Sequence, residues 1–197
     1  MGNLLPKIAV LIALFINCAM FREGLQIPKA ENQIEIGKNV KKSLGYTLNS
    51  TFSINNSAPT ISDPEYIKIW ERTLAEEAIN SGLFTEVKVS DKTTDYTVEF
   101  EVTEKSEVNQ NLALLTGLTL YLFPSSATTE ETLKATFKNK AGKVLGVFEK
   151  REKNVFWQQL FLIFVAPFKW PLSVSKDIKV DLSHAVYKDA ASAMIFK

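Results

Sequence analysis

The sequence predicts an α+β fold: a mixed sheet of about five or six strands packed against two main helices, behind an N-terminal segment of different character. Three observations predict it. Residues 96–102 alternate strictly between apolar and polar, as a half-buried strand does. Residues 63–81 carry a start signal and a stop signal around an apolar stripe, as a surface helix does. Near the C-terminus, apolar residues recur every fourth position from Ile178 to Ala190, which gives a second helix. Composition agrees, since 46% hydrophobic and 23% charged residues in a chain of 197 suit a single domain with a real core rather than disorder.

The chain opens MGNLLPKIAVLIALFINC, with one cation at Lys7, nine apolar residues from Ile8 to Ile16, and the only cysteine at Cys18. Nine apolar residues are too few to cross a bilayer as a helix, which takes about 20, but they fit the apolar region of an export signal. Leu14-Phe15-Ile16-Asn17-Cys18 resembles the lipobox of bacterial lipoproteins, in which cleavage before a cysteine frees a residue that carries diacylglycerol. The looser boxes of spirochaete lipoproteins accept residues such as Phe15 and Asn17. The resemblance implies a signal peptide over 1–17 and a lipid on Cys18. It also implies that Ala19, standing where an Asp would favour inner-membrane retention, sends the protein to the outer membrane. An ordinary signal peptide with an incidental cysteine and a retained N-terminal helix are the alternatives. Residues 18–33 mix charges with Gly24 and Pro28 without periodicity and suggest a lipidated tether. The single α+β domain then covers 34–197.

Residues 34–45 fit strand and helix spacing equally. In 46–54, Tyr46, Leu48, Phe52 and Ile54 share one face and Thr47, Asn49, Thr51 and Ser53 the other, which is a half-buried strand. Residues 55–62 form a loop by composition. Asp63 suits a helix cap, Pro64 the first helical position and Gly82 the left-handed stop. Between them Ile67, Trp70, Leu74 and Ala78 make the buried stripe. A short strand over 84–89 and the strand from Tyr96 are about six residues apart and suggest a hairpin. Tyr96, Val98, Phe100 and Val102 should point inward. The strand at 46–54, the helix at 63–81 and the strand at 84–89 make a strand–helix–strand unit. The helix end Ser81-Gly82-Leu83-Phe84, then Glu86-Val87, then the strand opening Asp95-Tyr96-Thr97-Val98, some twenty residues, resemble small α/β domains of envelope lipoproteins, among them transport-auxiliary lipoproteins and the N-terminal domain of TolB-like proteins. Leu118–Ser125, the strand over 132–137 and the segment around Trp157 resemble a group of uncharacterised envelope lipoproteins. That resemblance implies location and fold, and no activity.

Two apolar runs stand out. Residues 112–123 (LALLTGLTLYLF) hold no charge, and 156–172 (FWQQLFLIFVAPFKWPL) hold only Lys169. Between them Leu133, Ala135 and Phe137 alternate, 139–143 turn, and 144–148 return, which predicts a hairpin. The first reading of the runs is core: a strand buried on both faces for 112–123 and a short buried helix for 156–172. The second leaves one run exposed, 156–172 before 112–123, with Trp157, Phe161, Phe164, Phe168 and Trp170 meeting a membrane interface or a partner, as aromatic belts do. A third inserts both runs as a pair through the bilayer. The C-terminal helix should run from about Ser175 to Met194. Ile178, Leu182, Val186, Ala190 and Ala193 would be inward, and His184, Asp177, Asp181 and Lys188 on a solvated face.

Chemistry is scarce. One His and one Cys argue against a zinc site of the common kinds. Phosphate-loop and dinucleotide fingerprints are missing, as is the G-x-S-x-G that would accompany a serine hydrolase using His184 with Asp181. No cofactor and no metal are expected. The 23 basic residues face 22 acidic ones; Lys7 is the only charge before Cys18, so its loss leaves 22 of each. Balanced charge gives no support for a nucleic-acid partner. The expectation is a lipid-anchored, non-catalytic envelope protein that acts as a binding or interaction module, with the membrane and envelope proteins as partners. An accessory subunit of an envelope transport or assembly complex is the alternative.

Overall fold

The computed structural model describes residues 18–23, 27, 42–91 and 93–196. The expected signal peptide over 1–17 lies outside the described residues, as does most of 24–41. Among the described residues, seven strands form one mixed sheet: β1 (Cys18–Glu23), β2 (Lys42–Ile54), β3 (Thr60–Ile61), β4 (Phe84–Val89), β5 (Tyr96–Val108), β6 (Ser125–Asn139) and β7 (Val144–Gln158). Their order is β1-β7-β6-β5-β2-β3, with β4 on β2 beside β3. Among the described residues the helices are α1 (Pro64–Asn80), α2 (Gln110–Leu118) and α3 (Pro171–Ser192), with a 3-10 helix over Leu160–Phe164.

The helix α1 begins as its sequence dictates. The Asp63 carboxylate accepts from the Glu65 N–H at 2.8 Å, Pro64 needs no donor partner, and Gly82 takes φ +73° just past the end. Its stripe of Trp70, Leu74 and Ala78 is buried against the inward rows of the sheet. Those rows come from Leu44 and Tyr46 on β2, Val98, Phe100 and Val102 on β5, and Leu133, Ala135 and Phe137 on β6. Helix α3 packs beside α1 and adds Ile178, Leu182, Val186, Tyr187 and Ala190. The Tyr187 ring meets Phe84, Phe100 and Phe137 edge-on with centroids 6.2–6.3 Å apart. Its hydroxyl donates to the Leu74 carbonyl at 3.1 Å, which satisfies the polar atom that core burial would otherwise strand. The opposite sheet face is polar, crossed by pairs such as Lys138–Glu99 and Lys134–Glu101.

The hairpin of β6 and β7 turns at 140–143 as expected, with Gly142 at φ +78°, and each strand runs for 15 residues. The hairpin expected between β4 and β5 does not form. Both strands pair in parallel with β2, one on each edge. The connection over 90–95 therefore crosses the face of β2, and it crosses at Gly45. A Cβ there would lie 1.9 Å from the Asp91 carbonyl oxygen, so only glycine lets two backbones approach this closely. The crossing is fastened by the Ser90 N–H donating to the Tyr46 carbonyl at 2.8 Å.

Residues 18–23 correct a second expectation. They are not a loose tether but strand β1, antiparallel to β7, with Cys18 opposite Gln158 and Glu23 opposite Lys153. The edge of β7 offers a row of unpaired backbone groups that a six-residue segment can satisfy. Arg22 adds a side-chain reason, because its guanidinium reaches Glu152 at 2.7 Å and Asp181 at 2.5 Å. Ile27 packs against the core.

Candidate functional site

Four strand ends meet at one end of the sheet. Val108 ends β5 opposite Ala127, near the start of β6; Ser125 opens β6 opposite Gln158, the end of β7; and Gln158 faces Cys18, the start of β1. Both apolar runs leave from this end. The run over 112–123 connects β5 to β6, and the run over 156–172 connects β7 to α3. They touch where the Leu160 N–H donates to the Tyr121 carbonyl at 2.8 Å. Further along, the Met20 N–H donates to the Lys169 carbonyl at 2.9 Å, which ties the second run to β1.

The first run is neither a strand nor core, contrary to its leading expectation. Asn109 caps α2, its side-chain oxygen accepting from the Leu112 N–H at 3.1 Å. Thr116 and Thr119, which suggested a strand, donate their hydroxyls to the carbonyls of Leu112 and Leu115, each at 2.8 Å, a bond that a helical threonine can make. The helix is closed by the Tyr121 N–H on the Thr116 carbonyl at 2.8 Å, with Leu120 and Tyr121 both left-handed at φ +51° and +65°. Bulky residues rarely adopt that conformation. A strand here was ruled out by tertiary structure: β5 and β6 are already in continuous register, so their connection has no sheet edge to join.

The second run is not the buried helix of the core reading. Phe156, Trp157 and Gln158 finish β7, a 3-10 helix follows, and turns lead to Pro171 and α3. All five aromatic residues singled out in the sequence are exposed. Phe161, Phe164 and Phe168 show 66, 79 and 82% of their surface, and Trp157 and Trp170 are partly open. The run over 112–123, for which core was the first reading, supplies the other half of the surface. Leu118 is 74% exposed, and Leu120, Leu122 and Phe123 are also open. Among the described residues, 13 of the 22 exposed large hydrophobic side chains belong to these two runs, so the exposure is concentrated rather than scattered. The hydropathy that first suggested core was the available signal.

Cys18 opens the first strand at this same end. Its thiol is half-buried and accepts a long contact from Gln158 Nε2 at 3.9 Å; burial pushes the thiol up, against the effect of Gln158. A raised thiol is a poorer thiolate nucleophile at neutral pH.

A buried polar layer lies toward the core from this end, on the sheet face covered by the helices. Glu104, Glu131 and Glu152 stand side by side on β5, β6 and β7. The buried Lys179 ammonium reaches Glu131 at 3.1 Å and Ser175 at 2.9 Å and lies over the rings of Tyr66 and Trp70 at 4.8 and 5.1 Å. Burial pushes the Glu131 carboxyl up, Lys179 opposes the shift, and Glu104 adds to it. Burial, with Glu131 and Glu104, also drives the Tyr66 phenol far above its ordinary range. Both Glu152 and Asp181 are taken up by Arg22. The layer therefore binds β1 and α3 to the sheet. The spacing of Glu131, in phase with Leu133, Ala135 and Phe137, was the sequence signal for its burial.

The solvated face expected on the C-terminal helix holds for Asp177 and Lys188, which are exposed, and is corrected for Asp181 and His184. Asp181 is buried, and His184 is only 12% exposed, with Nδ1 3.7 Å from Glu77 Oε2 on the facing helix. Glu77 is itself held by Asn80 at 3.1 Å. His184 is thus set against Glu77, and Asp181 against Arg22. Ala193, expected inward, is exposed as the cap of α3. On the opposite sheet face an open cavity of about 580 Å³ lies beside the crossing at Gly45, lined by Asp91, Glu99, Lys138 and Asn139 among others. Its Lys138 is paired with Glu99 at 2.5 Å. Among the described residues no cluster of His, Cys, Asp and Glu could hold a metal ion, and no helix is long and apolar enough to cross a membrane.

No family model and no curated protein matches the chain. Among solved structures it is similar to a DUF330-family protein from Xanthomonas campestris, with 10% identity, TM-score 0.42, and coverage of 79% of this chain and 86% of that one. A minor lipoprotein from Acinetobacter baumannii gives 14% identity and TM-score 0.35, with 79% and 89% covered. PelC from Paraburkholderia phytofirmans, a dodecamer, gives 7% identity and TM-score 0.39, with 86% and 96% covered. Likeness at TM-scores under 0.5 carries no information about function.

Proposed function

We propose that this chain is a lipid-anchored, non-catalytic module of a bacterial envelope, attached through Cys18 and working by binding rather than by chemistry. The observation that carries the reading is the place of Cys18. The only thiol of the chain follows an export-type apolar segment and lies in β1 at the apolar end of the sheet, where cleavage before it would leave an acylated residue joined to the fold. Two or more acyl chains hold a protein stably at a bilayer where one does not. The scattered partners of His184 and Asp181 support a binding role over a hydrolytic one.

The test is metabolic labelling with palmitate in a host that processes lipoproteins, followed by membrane fractionation. The wild-type protein should take up label and sediment with the outer membrane, and Cys18→Ala should take up none. Label-free wild-type protein, or a Cys18→Ala protein that still takes up label, would refute the reading. A second reading, an accessory subunit of an envelope transport or assembly complex, draws support from the exposed aromatic end. Cross-linking would then recover a partner in fixed stoichiometry, and a protein that stays monomeric under cross-linking would count against it.

A further inference from the structure

We infer that the apolar end of the domain, built from both runs together, docks onto the bilayer surface beside the lipid on Cys18 and fixes the domain in one orientation. The inference rests on the anchoring proposed above and adds a second, non-covalent contact to it.

Three features select a bilayer as the occupant. The first is continuity. Cys18, Gln158 and Ser125 are neighbours across β1, β7 and β6, so the acyl chains would leave the protein at the end from which both runs extend. Cys18 itself lies in β1, paired with Gln158, so no spacer separates the lipidated residue from this end of the sheet. The second is charge. Residues 109–128 hold no charged side chain, and 154–175 hold only Lys169. A rim of that kind costs little when it enters the headgroup region, and a lone cation suits an anionic lipid. The third is composition and depth. Phe161, Phe164 and Phe168 project, while Trp157 and Trp170 are only partly open, the arrangement of an apolar tip with tryptophans at the interface. The 3-10 helix of five residues and α2 of nine are far too short to span the roughly 30 Å hydrocarbon layer, so the contact is interfacial.

The experiment uses the full chain, processed and extracted from its host, in vesicles of phosphatidylethanolamine and phosphatidylglycerol. Matched vesicles carry bromine on the acyl chains, which quenches nearby tryptophan. Trp157 and Trp170 should be quenched while the fully buried Trp70 is not, so the double variant Trp157→Phe/Trp170→Phe should lose the quenching. The triple variant Phe161→Asp/Phe164→Asp/Phe168→Asp alters only exposed side chains. It should keep its palmitate and its far-ultraviolet circular dichroism and lose most of the quenching. Wild-type fluorescence that brominated chains leave unchanged, or a triple variant quenched as strongly as wild type, would overturn the docking surface. So would a photo-crosslinker at position 164 that labels protein and not lipid. Palmitate without quenching removes the surface and leaves the anchor; quenching without palmitate removes the anchor and leaves the surface.

Discussion

Replacing Gly45 by Ala tests the least expected feature of the topology, the passage of the β4–β5 connection across β2. The new methyl would sit 1.9 Å from the Asp91 carbonyl oxygen and 2.7 Å from Thr94 Oγ1. Ordinary contact begins at 3.4 Å, so the loop backbone must retreat by about 1.5 Å, since a carbonyl cannot rotate away as a flexible side chain would. Overpacking of this kind costs about 1–3 kcal/mol. Loosening the Ser90 to Tyr46 bond of 2.8 Å adds about 1 kcal/mol. The reduced freedom of the unfolded chain returns roughly 0.4–1 kcal/mol. The net loss is about 1–3.6 kcal/mol. With a urea slope near 2 kcal/mol/M, the midpoint should fall by about 0.5–1.8 M at unchanged slope. Amide exchange should rise first in 90–95. Were β4 and β5 a hairpin, the position would be open and alanine would be neutral or stabilising by about 0.4–1 kcal/mol. A midpoint equal to or above wild type would therefore refute the crossing.

The buried Lys179–Glu131 pair should behave as a unit: Lys179→Met alone should cost about 3–5 kcal/mol by leaving a buried carboxylate unpaired, while Lys179→Met/Glu131→Leu should recover most of that loss, as denaturation of the three proteins will show. Because burial raises the folded-state value of Glu131 above its ordinary 4.5, its contribution is fully present below pH 4.5 and is lost as pH rises through the folded value; without Lys179 that loss should steepen, which a stability–pH profile checks. Asp95 has the opposite sign. Bonds from the Ser43 N–H and hydroxyl hold its carboxyl below 3.8, so its stabilisation is present above that value and lost as pH falls further, and Asp95→Asn should flatten the acid limb of the profile. Asp63→Ala removes the cap of α1 and should cost about 1 kcal/mol, read as a lower melting temperature with more helix fraying at its first turn.

By itself the sequence determined the elements whose signals are local. Alternation over 96–102 placed Val98, Phe100 and Val102 inward because side chains of a strand take opposite faces in turn. Asp63, Pro64 and Gly82 set the ends of α1 because caps act on the groups next to them. The turn over 139–143 followed for the same reason, and the export-type segment before Cys18 was visible as composition. Tertiary structure decided what depends on neighbours distant in the chain. No local signal shows which edge of β2 receives β4 and which receives β5; the close approach at Gly45 allows the answer. Nor does periodicity report that residues 18–23 close the edge of β7, or that Asp181 turns inward to Arg22. The two apolar runs show the division most clearly. Hydropathy identified both, but whether such a run is core or surface depends on a partner layer. At this end of the sheet the helices α1 and α3 already cover the inward rows, and the runs are left outside, beside Cys18.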